Sequence, residues 1–365
     1  MLDKLVSSLP SKVDGVLIVS ETNRRYFTSF HSSDGILLAT KNGSVFLADS
    51  RYIEEAQNVV KCCEVAELKK ASEQLPELCR KLDVRTLMVE SDRLTVSQLK
   101  AYRKMLKGVL LTTVSTDKLI DGLREVKSEY ELESITKAQR IAEKAFDHIL
   151  SFIKEGVTER EIALELDFFM LKNGAEAISF ETIAISGANT SKPHGVPTDK
   201  KVRSGDFVTM DYGAVVNGYH SDMTRTVAVG EVSDEQVRVY NTVLEAQLRA
   251  LATIKEGVKC FDADAAAREY IKENGYGDYF RHSTGHGVGL EIHEKPNLSP
   301  KNDKRLQIGN IVTVEPGIYI PGKYGVRIED MVIVTKNSCA NLTKITKELV
   351  KNISIDQKVT ICYNW

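Results

Sequence analysis

Met210-Asp211-Tyr212-Gly213-Ala214-Val215-Val216-Asn217-Gly218-Tyr219-His220-Ser221-Asp222 is the stretch on which the reading of this chain turns. Asn217-Gly218 suits a two-residue type I′ turn, in which both central residues need positive φ. With that turn in place Val216 pairs with Tyr219, and counting back sets Asp211 opposite Thr224. Asp222 lies two residues from Thr224 and on the same face. It is therefore a diagonal neighbour of Asp211, at roughly 7–8 Å between backbones. Like charges that near repel, and a metal ion between them is the simplest remedy. The plain alternative is that an aspartate in a hairpin faces solvent.

The totals narrow the field. At 365 residues the chain exceeds one ordinary core and suggests two domains. Forty-nine basic against 51 acidic residues, with no long run of one sign, point to neither a nucleic-acid nor a membrane-surface partner. The opening Met-Leu-Asp-Lys-Leu-Val does not read as a signal peptide, and no apolar run approaches the roughly 20 residues of a membrane span. The cysteines (Cys62, Cys63, Cys79, Cys260, Cys339 and Cys362) show no metal-binding spacing, which fits reduced thiols in a cytoplasmic protein.

From Val13 to about Thr113 short β-rich runs alternate with helical patterns. Strands are expected at 16–19, 35–39, 44–48, 86–89 and 109–111, with helices starting near Arg51 and Ala71. This reads as an α/β domain over residues 1–126, with Leu119 to Val126 as a connector and no chemistry of its own. Ser128-Glu129-Tyr130-Glu131 has capping-box spacing and opens a long amphipathic helix, the start of a second domain over 127–357. A tail, 358–365, carries the single tryptophan, Trp365.

The second domain repeats itself. Ile153-Lys154-Glu155-Gly156-Val157 returns as Ile254-Lys255-Glu256-Gly257-Val258, and each is followed by a helix ending at Asn-Gly, at 173–174 and 274–275. Lys201 to Asp211 then aligns with Arg305 to Glu315, which places Asp211 on Glu315 and lets Asp222 answer to Glu329 after a longer loop. A duplicated unit of helices and a hairpin follows. Four carboxylates, Asp211, Asp222, Glu315 and Glu329, thus become candidates for one cluster. His286 stands between glycines that permit close backbone approach, and His293 follows seven residues on. Oxygen-rich ligation with one imidazole suits two divalent ions, Mn²⁺ or Co²⁺ first, with Fe²⁺ or Zn²⁺ as further choices. Such a pair activates a bridging water and clamps a carbonyl. Taken singly each residue has a bland reading: a solvent-facing acid, a strand end before Pro316, a loop histidine.

The segments Ser191-Lys192-Pro193-His194-Gly195, Met210 to Ala214, His220 to Thr226, Gly285 to Glu294, Val314 to Tyr319 and Gly325 to Asp330 resemble, in order and spacing, the pita-bread metallopeptidases of the aminopeptidase P and prolidase branch. The resemblance spans the whole chain. It implies an α/β amino-terminal domain followed by an α+β pita-bread domain with an internal pseudo-twofold repeat. It implies Asp211 as ligand of one ion, His286 and Glu315 as ligands of the other, and Asp222 and Glu329 as bridges. Glu315 matches the proton relay. His194, His282 and His293 match histidines lining the site, with His282 also readable as a support of the His286 loop. Arg327 matches an arginine that tethers the cluster or the substrate, and its bland role is an ordinary ion pair. Phe180 and Ile292 match apolar positions around a proline pocket. The implied reaction is hydrolysis of the bond between an N-terminal residue and proline in a peptide substrate, by metal-bound hydroxide, in a homodimer.

Three alternatives stand beside it. A prolidase would accept only Xaa-Pro dipeptides. Some relatives carry an arginine shortly after the His-Glu pair, where this chain has Lys295-Pro296-Asn297, and its absence weighs toward an aminopeptidase. A methionine aminopeptidase usually lacks the amino-terminal domain. Metal-free creatine-cleaving or purely binding relatives typically replace the acidic ligands, all of which are present here.

Overall fold

The computed structural model describes residues 1–351; the expected end of the second domain and the tail with Cys362 and Trp365 lie outside the described residues. The chain divides into two compact units, Met1–Arg124 and Glu125–Trp365. In the first, β-branched and leucine-rich runs form a six-stranded mixed sheet. Its middle strands, Gly15–Ile18 and Ile36–Thr40, are buried along their whole length. The strands expected from the sequence are present within a residue or two. Glu64–Glu67 adds an edge strand that its polar Glu-Val-Ala-Glu sequence conceals. The stretch read as a connector is instead the end of a helix, Thr116–Glu125. Ile120 and Arg124, four apart, are buried there with Thr116, a helical period that Gly122 disguises.

The second unit opens with helix Glu129–Phe152, whose N-terminus has a complete capping box between Ser128 and Glu131. Its apolar stripe of Ala138, Ala142, Ala145, Phe146 and Ile149 is buried against strand residues Val208, Met210 and Tyr212. A second helix follows, Glu159–Lys172, and then the hairpin of Phe207–Tyr212 with Met223–Ala228. The same succession recurs as helices Asp234–Thr253 and Cys260–Glu273 and strands Ile311–Val314 and Asp330–Val334. Small connections repeat as well. Val202 N donates to Val157 O and Leu306 N to Val258 O, each at 2.8 Å, and isolated bridges join Thr158 to Lys201 and Lys259 to Arg305.

The turn behaves as its dipeptide demands. Asn217 and Gly218 have φ of 53° and 78°, Val216 pairs with Tyr219, and Asp211 lies opposite Thr224. In the second hairpin Val314 pairs with Asp330 and Gly317 with Arg327, so the register sets Glu315 opposite Glu329. One expectation is thereby corrected. By strand register Glu329 answers to Thr224, and the position of Asp222 is taken by Arg327. The two strands that follow the turns are thus displaced by two residues relative to the alignment of their acids. A displacement of two preserves the face, which is why the acids still converge.

Equivalent positions of the halves meet. Thr224 Oγ1 donates to Glu329 Oε2 at 2.7 Å, and Arg225 Nη2 donates to Asp330 Oδ1 at 2.8 Å. Arg225 is 1% exposed and also donates to the carbonyls of Glu329 and Ile345. Removing one member of a buried ion pair costs about 3–5 kcal/mol because the other is stranded. Arg225→Ala is expected to lower the stability of the second unit by about that much, read as a lower urea midpoint. An unchanged midpoint would show that Lys347, Gln247 and Asn341, which also reach Asp330, suffice without it.

Candidate metal centre and active site

Asp211 lies within strand Phe207–Tyr212, while Asp222, Glu315 and Glu329 each stand one residue beyond a strand end, and the four carboxylates line one cavity of about 560 Å³. Strand Gly285–Gly287 lies beside strand Ile311–Val314 and brings His286 to the same floor. That approach needs Gly285, since a Cβ there would stand 1.9 Å from Thr313 O. Asp222, His286 and Glu329 each present a ligand atom within 4.8 Å of the others. His286 Nε2 stands 3.5 Å from Asp222 Oδ2 and 3.4 Å from Glu315 Oε1.

The hydrogen bonds show how unusual this floor is. His286 Nδ1 is 3.0 Å from Gly287 O, a contact that requires the proton on Nδ1. Burial holds the ring below its ordinary pKa, so it is neutral and Nε2 directs a lone pair at two carboxylates. Asp211 Oδ1 and Glu329 Oε1 are buried without a hydrogen-bond partner among the described residues. Burial, and then the charges of Glu329, Asp211 and Glu315, drive Asp222 well above the usual carboxylate range. Glu329 is raised likewise, first by burial and then by Glu315 and Asp211. Burial pushes Glu315 up to about 8. Unpartnered oxygens, a lone pair facing carboxylates and mutually repelling acids are all relieved by divalent cations among them. The donor set fits the metal.

Among the described residues, the one guanidinium in the cavity lining is already engaged. Arg327 Nη2 donates to Asp211 Oδ2 at 2.5 Å, Nη1 to Pro193 O and Tyr319 Oη, and Nε to Thr224 Oγ1. His282 has both ring nitrogens committed. Nδ1 donates to Ser283 O at 2.8 Å, so Nε2 accepts from Tyr319 Oη at 2.9 Å. Burial first, and then Arg327, lower its pKa to about 4. His282 therefore lines the cavity as a neutral ring bound to Tyr319. His194 and His293 are exposed and line the same cavity with Phe180 and Ile292.

Sequence reasoning passed over Tyr319 and two threonines. Thr313 Oγ1 accepts from His286 N and donates to Glu315 Oε1; Thr224 Oγ1 links Arg327 to Glu329. Each was accessible from alternation, since Thr313 is two residues before Glu315 and Thr224 is opposite Asp211. Glu181, Ser283, Val196 and Asn297 complete much of the rim.

A floor of this kind suits bound divalent cations and marks a metal-dependent enzyme of the class that the comparisons identify. Comparison with known proteins gives the family: the chain belongs to metallopeptidase family M24, whose pattern matches residues 133–336. Residues 6–126 match the creatinase/prolidase N-terminal domain. The chain is 42% identical to an uncharacterised peptidase of Bacillus subtilis over 93% of its own length and 96% of the relative's. Among solved structures it resembles an Xaa-Pro dipeptidase from Bacillus anthracis, with 44% identity, TM-score 0.92 and coverage of 96% and 98% of the two chains. It also resembles an X-Pro aminopeptidase from Thermotoga maritima, with 37% identity, TM-score 0.90 and coverage of 96% and 99%.

Two outcomes follow from the crowded acids. In chelated protein, Glu315 holds a proton when folded up to about pH 8 that the unfolded chain, near its ordinary 4.5, has already lost. The folded state then binds more protons, so its stability falls as pH rises through that window. Thermal unfolding of EDTA-treated protein should show this decline, with a shallower one for Glu315→Gln; a rise over the same range would contradict it. Glu329→Gln should stabilise the chelated protein yet bind fewer metal ions, by calorimetry and elemental analysis. Equal metal content in mutant and wild type would remove Glu329 from the ligands.

Proposed function

We propose that this chain is an Xaa-Pro aminopeptidase, which removes an N-terminal residue from peptides whose second residue is proline. The observation that carries the reading is the buried to half-buried floor of four carboxylates and one imidazole at the base of a cavity with apolar walls. Asp211 would hold one ion, His286 and Glu315 the other, with Asp222 and Glu329 reached by both. Mn²⁺ or Co²⁺ suits this donor set best. When bound, the ions polarise the scissile carbonyl and make a water nucleophilic at neutral pH.

The chain's own groups do the remainder. Glu315, oriented by the Thr313 hydroxyl on Oε1, relays a proton to the departing proline nitrogen. His194 and His293, at the rim, donate hydrogen bonds to the substrate carbonyl as charge develops on it. Phe180 and Ile292 receive the pyrrolidine ring, whose tertiary amide offers no N–H to a cleft. Arg327 tethers Asp211 and so fixes one corner of the cluster. Thr224, Thr313 and Tyr319 orient these groups without reaching the reacting bond. Family resemblance further supports a homodimer and a cytoplasmic location.

Peptide length is decided at the rim. A dipeptide brings its carboxylate one residue from the scissile bond, where the lining supplies Glu181, Ser283 and Asn297 and a guanidinium already bound to Asp211. A longer peptide carries that charge away, which favours the aminopeptidase. The dipeptidase reading is supported by the name of the Bacillus anthracis relative. Assays of Ala-Pro, Ala-Pro-Ala and Ala-Pro-Ala-Ala with added Mn²⁺ separate the two. The longer peptides are expected to exceed the dipeptide in kcat/KM by at least about tenfold, about 1.4 kcal/mol of transition-state binding. Cleavage confined to Ala-Pro would establish the dipeptidase instead.

A further inference from the structure

The loop from Ser186 to Thr198 carries Pro193, His194, Gly195, Val196 and Pro197, all of which line the cavity. Both ends of this loop terminate on a single side chain. Glu159, the first residue of helix Glu159–Lys172, is fully buried. Its Oε1 accepts from Ser186 N at 2.7 Å, Ser186 Oγ at 3.0 Å and Asn189 Nδ2 at 3.0 Å. Its Oε2 accepts from Thr198 N at 3.0 Å, Thr198 Oγ1 at 2.6 Å and Asn189 Nδ2 at 3.2 Å.

A carboxyl group withdrawn from water is expensive unless its lone pairs are used, and here five neutral donors converge on it. The helix does not require this. Its N-terminus is already closed by Thr158, which accepts from Glu161 N, and by Glu161, which accepts from Thr158 N. The Glu159 carboxylate is therefore spent on the loop alone. Between its ends the loop rests on strand Tyr324–Arg327. Gly325 N donates to Thr190 Oγ1 at 2.8 Å, and Arg327 Nη1 to Pro193 O at 3.1 Å. The span held by Glu159 thus contains both His194 and the carbonyl bound by the arginine that grips Asp211.

We propose that Glu159 is a positioning residue: its carboxylate clamps both ends of the loop 186–198 and so sets His194 against the substrate and Pro193 against Arg327. Glu159 touches none of the candidate ligands, and it acts through the loop. The proposal deepens the peptidase reading and rests on it where His194 is taken as a substrate contact.

The test is a double-mutant cycle with a second, activity-independent readout. Glu159→Gln keeps the shape but turns one accepting oxygen into an amino group facing donors. With Mn²⁺ and Ala-Pro-Ala, kcat should fall at least about tenfold while KM changes less than about threefold; in a His194→Ala background the same substitution should cost less than about threefold. Hydrogen–deuterium exchange should rise over 186–198 and stay unchanged in helix Glu129–Phe152, with metal content unaltered. Should Glu159→Gln fail to fold, Thr198→Val removes the hydroxyl bond at one end, at an exposed residue, and leaves the bond from Thr198 N in place. It should raise exchange at that end and lower kcat in the same direction. Wild-type exchange in the loop, or equal losses in both backgrounds, would overturn the clamp. Increased loop exchange in a protein that cleaves no Xaa-Pro peptide would overturn the peptidase reading and leave the clamp standing.

Discussion

The constraint on which this site depends is the withdrawal of neighbouring carboxylates from water, compounded by their repulsion. Asp222, Glu315 and Glu329 are all pushed up in pKa, each first by burial, and among the described residues the lining offers one guanidinium in return. Asp211 Oδ1 and Glu329 Oε1 have no hydrogen-bond partner among the described residues. The scaffold therefore has to hold the acids in place against their own electrostatics. It does so with two well-packed hydrophobic clusters of strand and helix, where Phe146, Val208 and Met210 on one side and Val243, Val312 and Val332 on the other are essentially inaccessible. Stability lies in the layers, and the floor is the strained part that the layers support.

Threonine hydroxyls refine that support. Thr224 and Thr313 each bind a carboxylate oxygen with one bond and a neighbouring ligand or arginine with another. A hydroxyl can donate and accept at once, so it orients an acid without adding to the charge. A lysine at either place would compete with the cations, and a valine would leave its neighbours unpartnered. His282, Tyr319 and Arg327 form a similar chain on the other flank, ending at Asp211.

Much of this was legible in the residues. Asn217-Gly218 determined the turn, the turn determined the register, and the repeat led from Asp211 to Glu315. Local rules of φ and strand alternation carry such inferences because they involve few competing terms. The helix at Thr116–Glu125 was misread because a glycine and a short apolar period obscure it, and tertiary burial of Ile120 and Arg124 decides the outcome. The displacement of the second strands by two residues was hidden, since side-chain alternation is blind to any even shift. Glu159 was invisible for a different reason. An acid at a helix start looks like ordinary dipole compensation, and only the path of a loop 27 to 39 residues away gives its carboxylate another purpose.

The contacts between equivalent positions bear on how the two halves can change. Thr224 faces Glu329, Arg225 faces Asp330, and the place held by Asp222 in one half is held by Arg327 in the other. Had both halves kept the same residue, acid would meet acid and guanidinium would meet guanidinium across the pseudo-twofold. The duplicated units have thus become lock and key to each other within one chain. Neither could be replaced by a second copy of its twin without setting two guanidinium groups or two carboxylates together where Arg225 now meets Asp330. These few differing positions make the halves complementary and give the scaffold a front and a back.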